Sequence, residues 1–134
     1  MKIICILQNA WGDRELPLVF SPNPFNKSAK VIKKMTGGDH TIYFCNTTGV
    51  VTRTAAEGAK PDYEHFEKVI KRLPEFDMIL VCGKQAEATV HKYLKQIVVL
   101  NKPLIYVAHP ASRSLSNIQI KLYNELINKD NGTI

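Results

Sequence analysis

The sequence predicts an α/β fold: a three-layer αβα sandwich around a central, mainly parallel four-stranded sheet. Four short segments are apolar at nearly every position, which is typical of strands buried on both faces. These segments are 3–7, 41–45, 78–82 and 104–108. Amphipathic stretches alternate with them, and this alternation favours a parallel sheet between two helical layers. A length of 134 residues fits one domain, 1–134.

The amphipathic stretches predict four helices, at 27–35, 62–73, 84–94 and 115–127. The second of them begins at Asp62, directly after Pro61, and places Phe66, Val69 and Leu73 on one face. A further short strand is expected at 97–100. The elements therefore follow one another in the order that a doubly wound sheet requires.

Composition and charge exclude several classes of protein. Apolar residues make up 45% and charged residues 22% of the chain, which is typical of globular proteins and excludes disorder. Its apolar runs are far shorter than the roughly 20 residues that cross a bilayer. The first residues also lack a signal-peptide pattern. We therefore expect a cytoplasmic protein without membrane association. The net charge of +6 favours a polyanionic partner.

The three cysteines predict neither disulfides nor a metal site. Cys5, Cys45 and Cys82 each lie inside an apolar run, where a free thiol behaves as a small hydrophobic side chain. No pair of cysteines and histidines has the spacing of zinc or iron–sulfur ligands. We expect no metal and no cofactor.

Polar residues directly follow all four predicted strands. In parallel α/β sheets, ligands bind beyond the carboxyl ends of the strands. The residues at these ends are Gln8 and Asn9, Asn46 to Thr48, Gly83 to Gln85, and His109 with Pro110. A histidine at such an end, opposite two asparagines, is a candidate catalytic group. The other histidines, His40, His65 and His91, are expected to be solvated.

Several familiar chemistries do not fit these strand ends. Gly83-Lys84 resembles half of a P-loop, but Met78 and Gln85 stand where that motif needs a glycine and a hydroxyl residue. No GxSxG elbow is present, and no pair of carboxylates follows a strand. An enzyme built on these residues must work with amides, a histidine and bound water.

Five segments, in chain order, resemble motifs of the uracil-DNA glycosylase superfamily. They are Gln8-Asn9-Ala10-Trp11-Gly12, Phe20-Ser21, the stretch FCNTTGVVTR that contains Asn46, Gly83-Lys84-Gln85-Ala86, and His109-Pro110-Ala111-Ser112-Arg113-Ser114. The resemblance implies a glycosylase-like fold and a DNA glycosylase. A monofunctional enzyme is expected because no lysine is obviously placed for Schiff-base chemistry. Such an enzyme flips a nucleotide out of the duplex, hydrolyses its N-glycosidic bond and leaves an abasic site.

The resemblance also implies a role for each matching residue. Asn9 and His109 are the implied catalytic residues, acting on the attacking water and on the leaving base. Gln8, Phe20 and Asn46 are the implied base-binding residues. Ser21, Lys84, Ser112 and Arg113 are the implied DNA contacts. The partner is DNA, and we expect a monomer.

Departures from the family pattern bear on the substrate. Asn9 stands in place of the aspartate of the fastest members, and an amide cannot take a proton from water. Trp11 replaces a tyrosine that excludes bulky pyrimidines, and Arg113 replaces a leucine that wedges into the base stack; Leu115 could take that place. Some members of the superfamily excise modified cytosines from phage DNA in antiphage defence. The expected substrate is such a modified cytosine, or uracil.

A second class of function is compatible with the same residues: a nucleic-acid-binding module that kept the fold and lost the chemistry. Asn9, as a weak water-positioning group, favours this alternative. Phe20, Asn46 and His109 disfavour it, because a protein that binds only the backbone needs none of them. A small-molecule α/β enzyme is disfavoured by the absence of a nucleophile, a carboxylate pair or a cofactor loop.

Overall fold

The computed structural model describes residues 1–8, 10–11, 19–21, 27–37, 40–48, 51–52, 60–108 and 116–129, with the main chain alone at 10–11, 19–21, 27–29 and 51–52. In this part of the chain the strands are β1 (Lys2–Leu7), β2 (Ala10–Trp11), β3 (Val19–Ser21), β4 (Thr41–Asn46), β5 (Val51–Thr52), β6 (Met78–Cys82) and β7 (Leu104–Val107). The helices are α1 (Lys27–Thr36), α2 (Tyr63–Arg72) with a 3-10 turn at Leu73–Glu75, α3 (Lys84–Lys92), α4 (Leu94–Val98) and α5 (Asn117–Lys129). No helix in these ranges is both long and apolar enough to cross a membrane.

The main sheet has the strand order β3-β4-β1-β6-β7. The four predicted strands, β4, β1, β6 and β7, are parallel to one another, which confirms the predicted class and parallel core of the sheet. The prediction of four strands is incomplete, because β3 adds a fifth, antiparallel strand beside β4. With only three residues, β3 is too short to produce an apolar run in the sequence.

Helices cover both faces of the sheet. Alternate residues of the strands point to opposite faces, so β1 contributes Ile3 and Cys5 to one core and Ile4 and Ile6 to the other. Side chains of α1 and α5 complete the first core, and side chains of α2, α3 and α4 complete the second. The described elements are therefore compatible with the expected three-layer sandwich.

The three cysteines are buried free thiols, as predicted. Cys5 and Cys82 lie in the core next to α1 and α5, and Cys45 lies in the core on the other face. Burial raises the pKa of both the Cys5 and the Cys45 thiols, because a thiolate loses its hydration in an apolar interior.

The prediction of a strand at 97–100 is wrong. The segment forms the end of α4 and the turn after it. Ile97 is buried at 2% exposure, whereas Val98 and Val99 are 62% and 77% exposed. A helical arrangement buries one of these three residues and leaves two in solvent, whereas an apolar run of four residues predicts burial on every side.

The carboxyl end of α1 is held by α5. Asn128 Nδ2 donates to Thr36 O over 2.8 Å, and Asn124 Nδ2 donates to Lys34 O over 3.3 Å. Gly37 ends the helix at φ +56°, a left-handed conformation that glycine adopts without strain. His40, expected to be solvated, is half-buried here, and its Nε2 lies 2.9 Å from Asn128 Oδ1. Polar side chains of α5 thus satisfy the last carbonyls of α1.

Candidate functional site

The order of the parallel strands creates a switch point at the carboxyl end of β1. From β1 the chain proceeds to β4 on one side, then crosses to β6 on the other side. The connections that leave β1 and β6 therefore turn away from each other, and in open α/β sheets ligands bind in the crevice between them. Gln8 follows β1 and Gly83 follows β6 at this crevice.

Thr47 joins the ends of three elements at this point. Its backbone N–H lies 2.9 Å from Leu7 O and 3.2 Å from Gln8 O. Its hydroxyl oxygen lies 2.9 Å from both Gln8 O and Gln85 Oε1. A hydroxyl has a single proton, so it donates to only one of these oxygens at a time. If the Gln85 amide is turned so that its NH₂ faces Thr47, the hydroxyl donates to Gln8 O and accepts from Gln85. The contacts hold β1, β4 and the first turn of α3 together.

The amino end of α2 holds the same segment from the other side. Asp62 N–H donates to Thr47 O over 3.0 Å, and the Asp62 carboxylate caps α2 by accepting from the N–H groups of Glu64 and His65. His65 Nε2 lies 3.1 Å from Asn46 O. The prediction that His65 is solvated is therefore wrong. Sequence analysis missed this contact because nothing in the pattern around His65 relates it to a strand 19 residues earlier.

Asn46 is the buried polar residue that ends β4. It is 2% exposed and is followed by Thr47 and Thr48, which are 0% and 1% exposed. The side-chain amide of Asn46 makes no hydrogen bond to any group in the described part of the chain. No sealed side-chain nitrogen or oxygen without a partner occurs in that part either, so the amide atoms of Asn46 reach solvent. Proteins satisfy nearly all buried polar groups, and an amide in this position is free to bind a ligand.

The connection from β6 to α3 brings Lys84 to the same crevice. Gly83 adopts φ 92°, its N–H donates to Val107 O over 3.0 Å, and α3 starts at the next residue. The residue before α3 is Gly83, which has no side chain to cap the helix. Lys84 is exposed in the first turn. A positive charge at the amino end of a helix favours an anionic group such as a phosphate at the rim.

Two short strands bring further predicted segments together. β2 pairs with β5 in parallel, Ala10 opposite Val51 and Trp11 opposite Thr52. The short segments Ala10–Trp11 and Val51–Thr52, which come after β1 and β4 in the chain, therefore lie side by side. This pairing shifts the register by two residues relative to Leu7 opposite Asn46.

The main chain of Phe20 and Ser21 lies beside the end of β4. In the β3–β4 pair, Val19 is opposite Cys45 and Ser21 is opposite Phe44, so Phe20 is the additional residue of a β-bulge. A bulge breaks the alternation of side chains and is frequent next to functional sites. The backbone of Val19, opposite Cys45, is thus one pairing step from Asn46, and Phe20 follows Val19 in the direction of Phe44.

The structure brings together part of the predicted site. Gln8, Asn46 and Lys84 lie at the ends of β1, β4 and β6, and the main chain of Phe20 and Ser21 lies beside β4. Four other predicted site residues, Asn9, His109, Ser112 and Arg113, lie outside the described residues.

The described side chains of the crevice are mostly neutral. Amides and hydroxyls surround the switch point, at Gln8, Asn46, Thr47, Thr48 and Gln85. Within the ranges that the structure describes, no group of three or more His, Cys, Asp or Glu side chains could hold a metal ion. The arrangement can donate and accept hydrogen bonds to an uncharged polar ring, with an anion at the rim beside Lys84.

The architecture is that of an α/β protein with a candidate site beyond the carboxyl ends of its parallel strands. Comparison of the chain with protein-family models, with curated proteins and with solved structures finds no match in any of the three. The functional interpretation therefore rests on the residues and the geometry of the crevice.

Proposed function

We propose that this chain is a monofunctional DNA glycosylase that removes a pyrimidine, either uracil or a modified cytosine. The observation that carries the proposal is the Asn46 side chain. Asn46 as a residue is only 2% exposed and lies at the switch point. Its amide reaches solvent and makes no hydrogen bond to the described residues. An amide of a buried residue that makes no hydrogen bond to the described part of the chain suits a site that is completed by a ligand.

The chemistry of an amide fits the edge of a pyrimidine. An asparagine side chain offers one carbonyl acceptor and one NH₂ donor side by side. The Watson–Crick edges of uracil and cytosine each present a donor next to an acceptor, so two hydrogen bonds form in one plane. The neutral amides and hydroxyls around Asn46 suit an uncharged ring better than a carboxylate or phosphate. In this proposal the aromatic ring of Phe20 stacks on the flipped base.

The proposed reaction is hydrolysis at the sugar carbon that carries the base. The C1′–N bond breaks and its electron pair leaves with the base. The oxygen of a water molecule bonds to C1′, and the two protons of that water end on the new hydroxyl and on the released base. In this proposal His109 stabilises the negative charge that develops on the base, and Asn9 orients the water. Because the Asn9 amide takes up no proton, turnover is slow.

The DNA backbone is proposed to bind across the rim of the crevice. Lys84 lies exposed in the first turn of α3, and a positive charge at the amino end of a helix suits a phosphate flanking the flipped nucleotide. Ser21, Ser112 and Arg113 complete the proposed backbone contacts. The net charge of +6 supports a polyanionic partner.

An abasic-site assay tests the proposal. The purified chain is incubated with duplex DNA containing uracil, with mismatched duplex DNA and with phage DNA that carries modified cytosines, and abasic sites are revealed by alkaline cleavage. We expect strand breaks in at least one substrate. Asn46→Ala removes both hydrogen bonds to the base and should lower the single-turnover rate roughly 5- to 150-fold. Gln96→Ala, an exposed amide on α4, is the matched control and should leave the rate unchanged.

The substrates distinguish the alternatives. Breaks confined to modified phage DNA indicate a defence enzyme, whereas breaks in the uracil duplex indicate repair. DNA binding that weakens steeply with salt, without breaks in any substrate, would favour a binding module on the same fold and reject excision. An unchanged rate in a folded Asn46→Ala variant would remove Asn46 from the site.

A further inference from the structure

His65 makes a directed contact with the last residue of β4. It lies in the first turn of α2, is half-buried, and places Nε2 3.1 Å from Asn46 O. A carbonyl oxygen only accepts hydrogen bonds, so Nε2 carries the proton and donates it. The hydrogen bond therefore fixes which ring nitrogen is protonated and how the ring is turned.

The contact matters because, among the described residues, no hydrogen bond orients the Asn46 side chain directly. Since the amide makes no hydrogen bond to the described residues, its position follows from the Asn46 backbone and from packing. The β1–β4 ladder ends here, with Leu7 opposite Asn46 as the last pair. His65 thus provides a donor to the backbone at the point where regular pairing stops.

The amino end of α2 restrains two consecutive carbonyls as one unit. His65 Nε2 donates to Asn46 O, and Asp62 N–H donates to Thr47 O over 3.0 Å. The two donors are tied to each other, because His65 N–H donates to the Asp62 carboxylate over 3.2 Å. A shift of the Asn46 peptide would therefore require a shift of the helix start.

We propose that His65 is a positioning residue, which holds the Asn46 peptide so that the side-chain amide meets the base in the orientation needed for two hydrogen bonds. This role rests on the proposed function of Asn46. His65 touches neither the base nor the sugar, so its loss weakens base binding and changes the chemical step less. A hydrogen bond of this kind corresponds to roughly 3- to 10-fold in affinity.

The experiment compares two substitutions. His65→Leu keeps an apolar side chain of similar size without a donor. His65→Gln restores an NH₂ near the position of Nε2. His91→Leu is the matched control, because His91 is an exposed histidine on α3. Its Nε2 lies 4.0 Å from Glu87 Oε1. Circular dichroism and urea unfolding establish that all three variants are folded.

The first readout is kinetic, on the substrate that the wild-type chain cleaves fastest. We expect His65→Leu to raise KM roughly 3- to 10-fold with kcat changed less than KM. His65→Gln should return KM most of the way to the wild-type value, and His91→Leu should leave both constants unchanged. An unaltered KM in His65→Leu, or a KM in His65→Gln as high as in His65→Leu, would overturn the proposal.

The second readout does not depend on activity. In ¹⁵N-labelled protein, the side-chain NH₂ signals of Asn46 are assigned by their disappearance in Asn46→Asp. We expect these signals to shift or broaden in His65→Leu and to recover in His65→Gln. If the wild-type chain excises no base, the proposed function fails, and these signals still decide the role of His65. Signals that are identical in all variants would reject it.

Discussion

The hydroxyl of Thr47 lies 2.9 Å from the side-chain oxygen of Gln85 and thereby connects the end of β4 to the first turn of α3. The same hydroxyl lies 2.9 Å from Gln8 O, so one side chain connects the ends of β1 and β4 with the start of α3. The relative placement of Gln8, Asn46 and Lys84 depends on this connection. It links the packing of the sheet to the geometry of the crevice.

Replacing Thr47 by valine tests this connection. Valine has the shape of threonine without the hydroxyl, so the substitution removes the contacts to Gln8 and Gln85 with little change in packing. We expect a loss of about 1 kcal/mol in the free energy of unfolding, measured with urea. We also expect weaker pyrimidine binding, because Asn46 is the adjacent residue.

Thr36→Val is the matched control. Thr36 is buried at 1% exposure and donates its hydroxyl to Ile32 O, one turn earlier in α1 and away from the crevice. This variant should lose a similar amount of stability and retain pyrimidine binding. Equal losses of binding in both variants would show that general destabilisation, and not the Thr47 contacts, affects the site.

The buried thiols predict a loss of stability in alkaline solution. Burial raises the pKa of Cys45 above its ordinary value of 9.0, so the folded protein keeps the neutral thiol while the unfolded chain ionises. The stabilising contribution is complete below about pH 9 and is lost as the pH rises towards the folded pKa. In the pH range between the pKa of the unfolded thiol and that of the folded thiol, ionisation of each such thiol in the unfolded chain lowers the free energy of unfolding by about 1.4 kcal/mol per pH unit.

Urea unfolding of the wild type and of Cys45→Ala between pH 8 and pH 10.5, roughly one unit below to well above the ordinary thiol pKa, measures this effect. The variant is less stable near pH 8 because it leaves a cavity, but its stability should fall less steeply with pH. Lysine and tyrosine titration contributes equally to both proteins and cancels in the difference. Parallel pH curves for the two proteins would contradict the prediction.

Gly37→Ala should destabilise the protein by about 1–3 kcal/mol. Alanine is strained at φ +56°, and its Cβ would meet the Asn124 side-chain amide, which donates to Lys34 O. Thermal or urea unfolding measures the loss. In the double variant Gly37→Ala/Asn124→Ala the collision is absent and the backbone strain remains. If adding Asn124→Ala restores no stability to the Gly37→Ala variant, backbone strain alone accounts for the loss.

The sequence predicted the parallel core of the fold because continuous apolar runs and amphipathic helices are strong local signals. The boundaries of β6, Met78–Cys82, agree with the prediction, and α2 begins directly after the capping residue Asp62 as expected. The sequence predicts a strand at 97–100, where α4 ends, because a run of four apolar residues does not distinguish the period of a strand from that of a helix. Strand β3 is defined by its pairing with β4, which a short local pattern does not contain.

The site was predictable where it follows from topology. Residues that end parallel strands must meet at one edge, which is why Gln8, Asn46 and Lys84 lie there. The supporting contacts were not predictable. His65 and Asp62 reach Asn46 and Thr47 through the orientation of α2, and Thr47 reaches Gln85 through the packing of α3. These contacts depend on the relative positions of whole elements, which no local spacing specifies.

The central position of β1 has a consequence for how the chain is made. Residues of β1 pair with partners 39 positions later, as Leu7 with Asn46, and 75 positions later, as Ile3 with Met78. During synthesis β1 therefore leaves the ribosome well before either neighbour, and its apolar side chains stay uncovered until β6 has emerged. A nascent chain that stalls before Met78 presents an open, hydrophobic strand edge, the kind of surface on which chaperones act and from which aggregation starts.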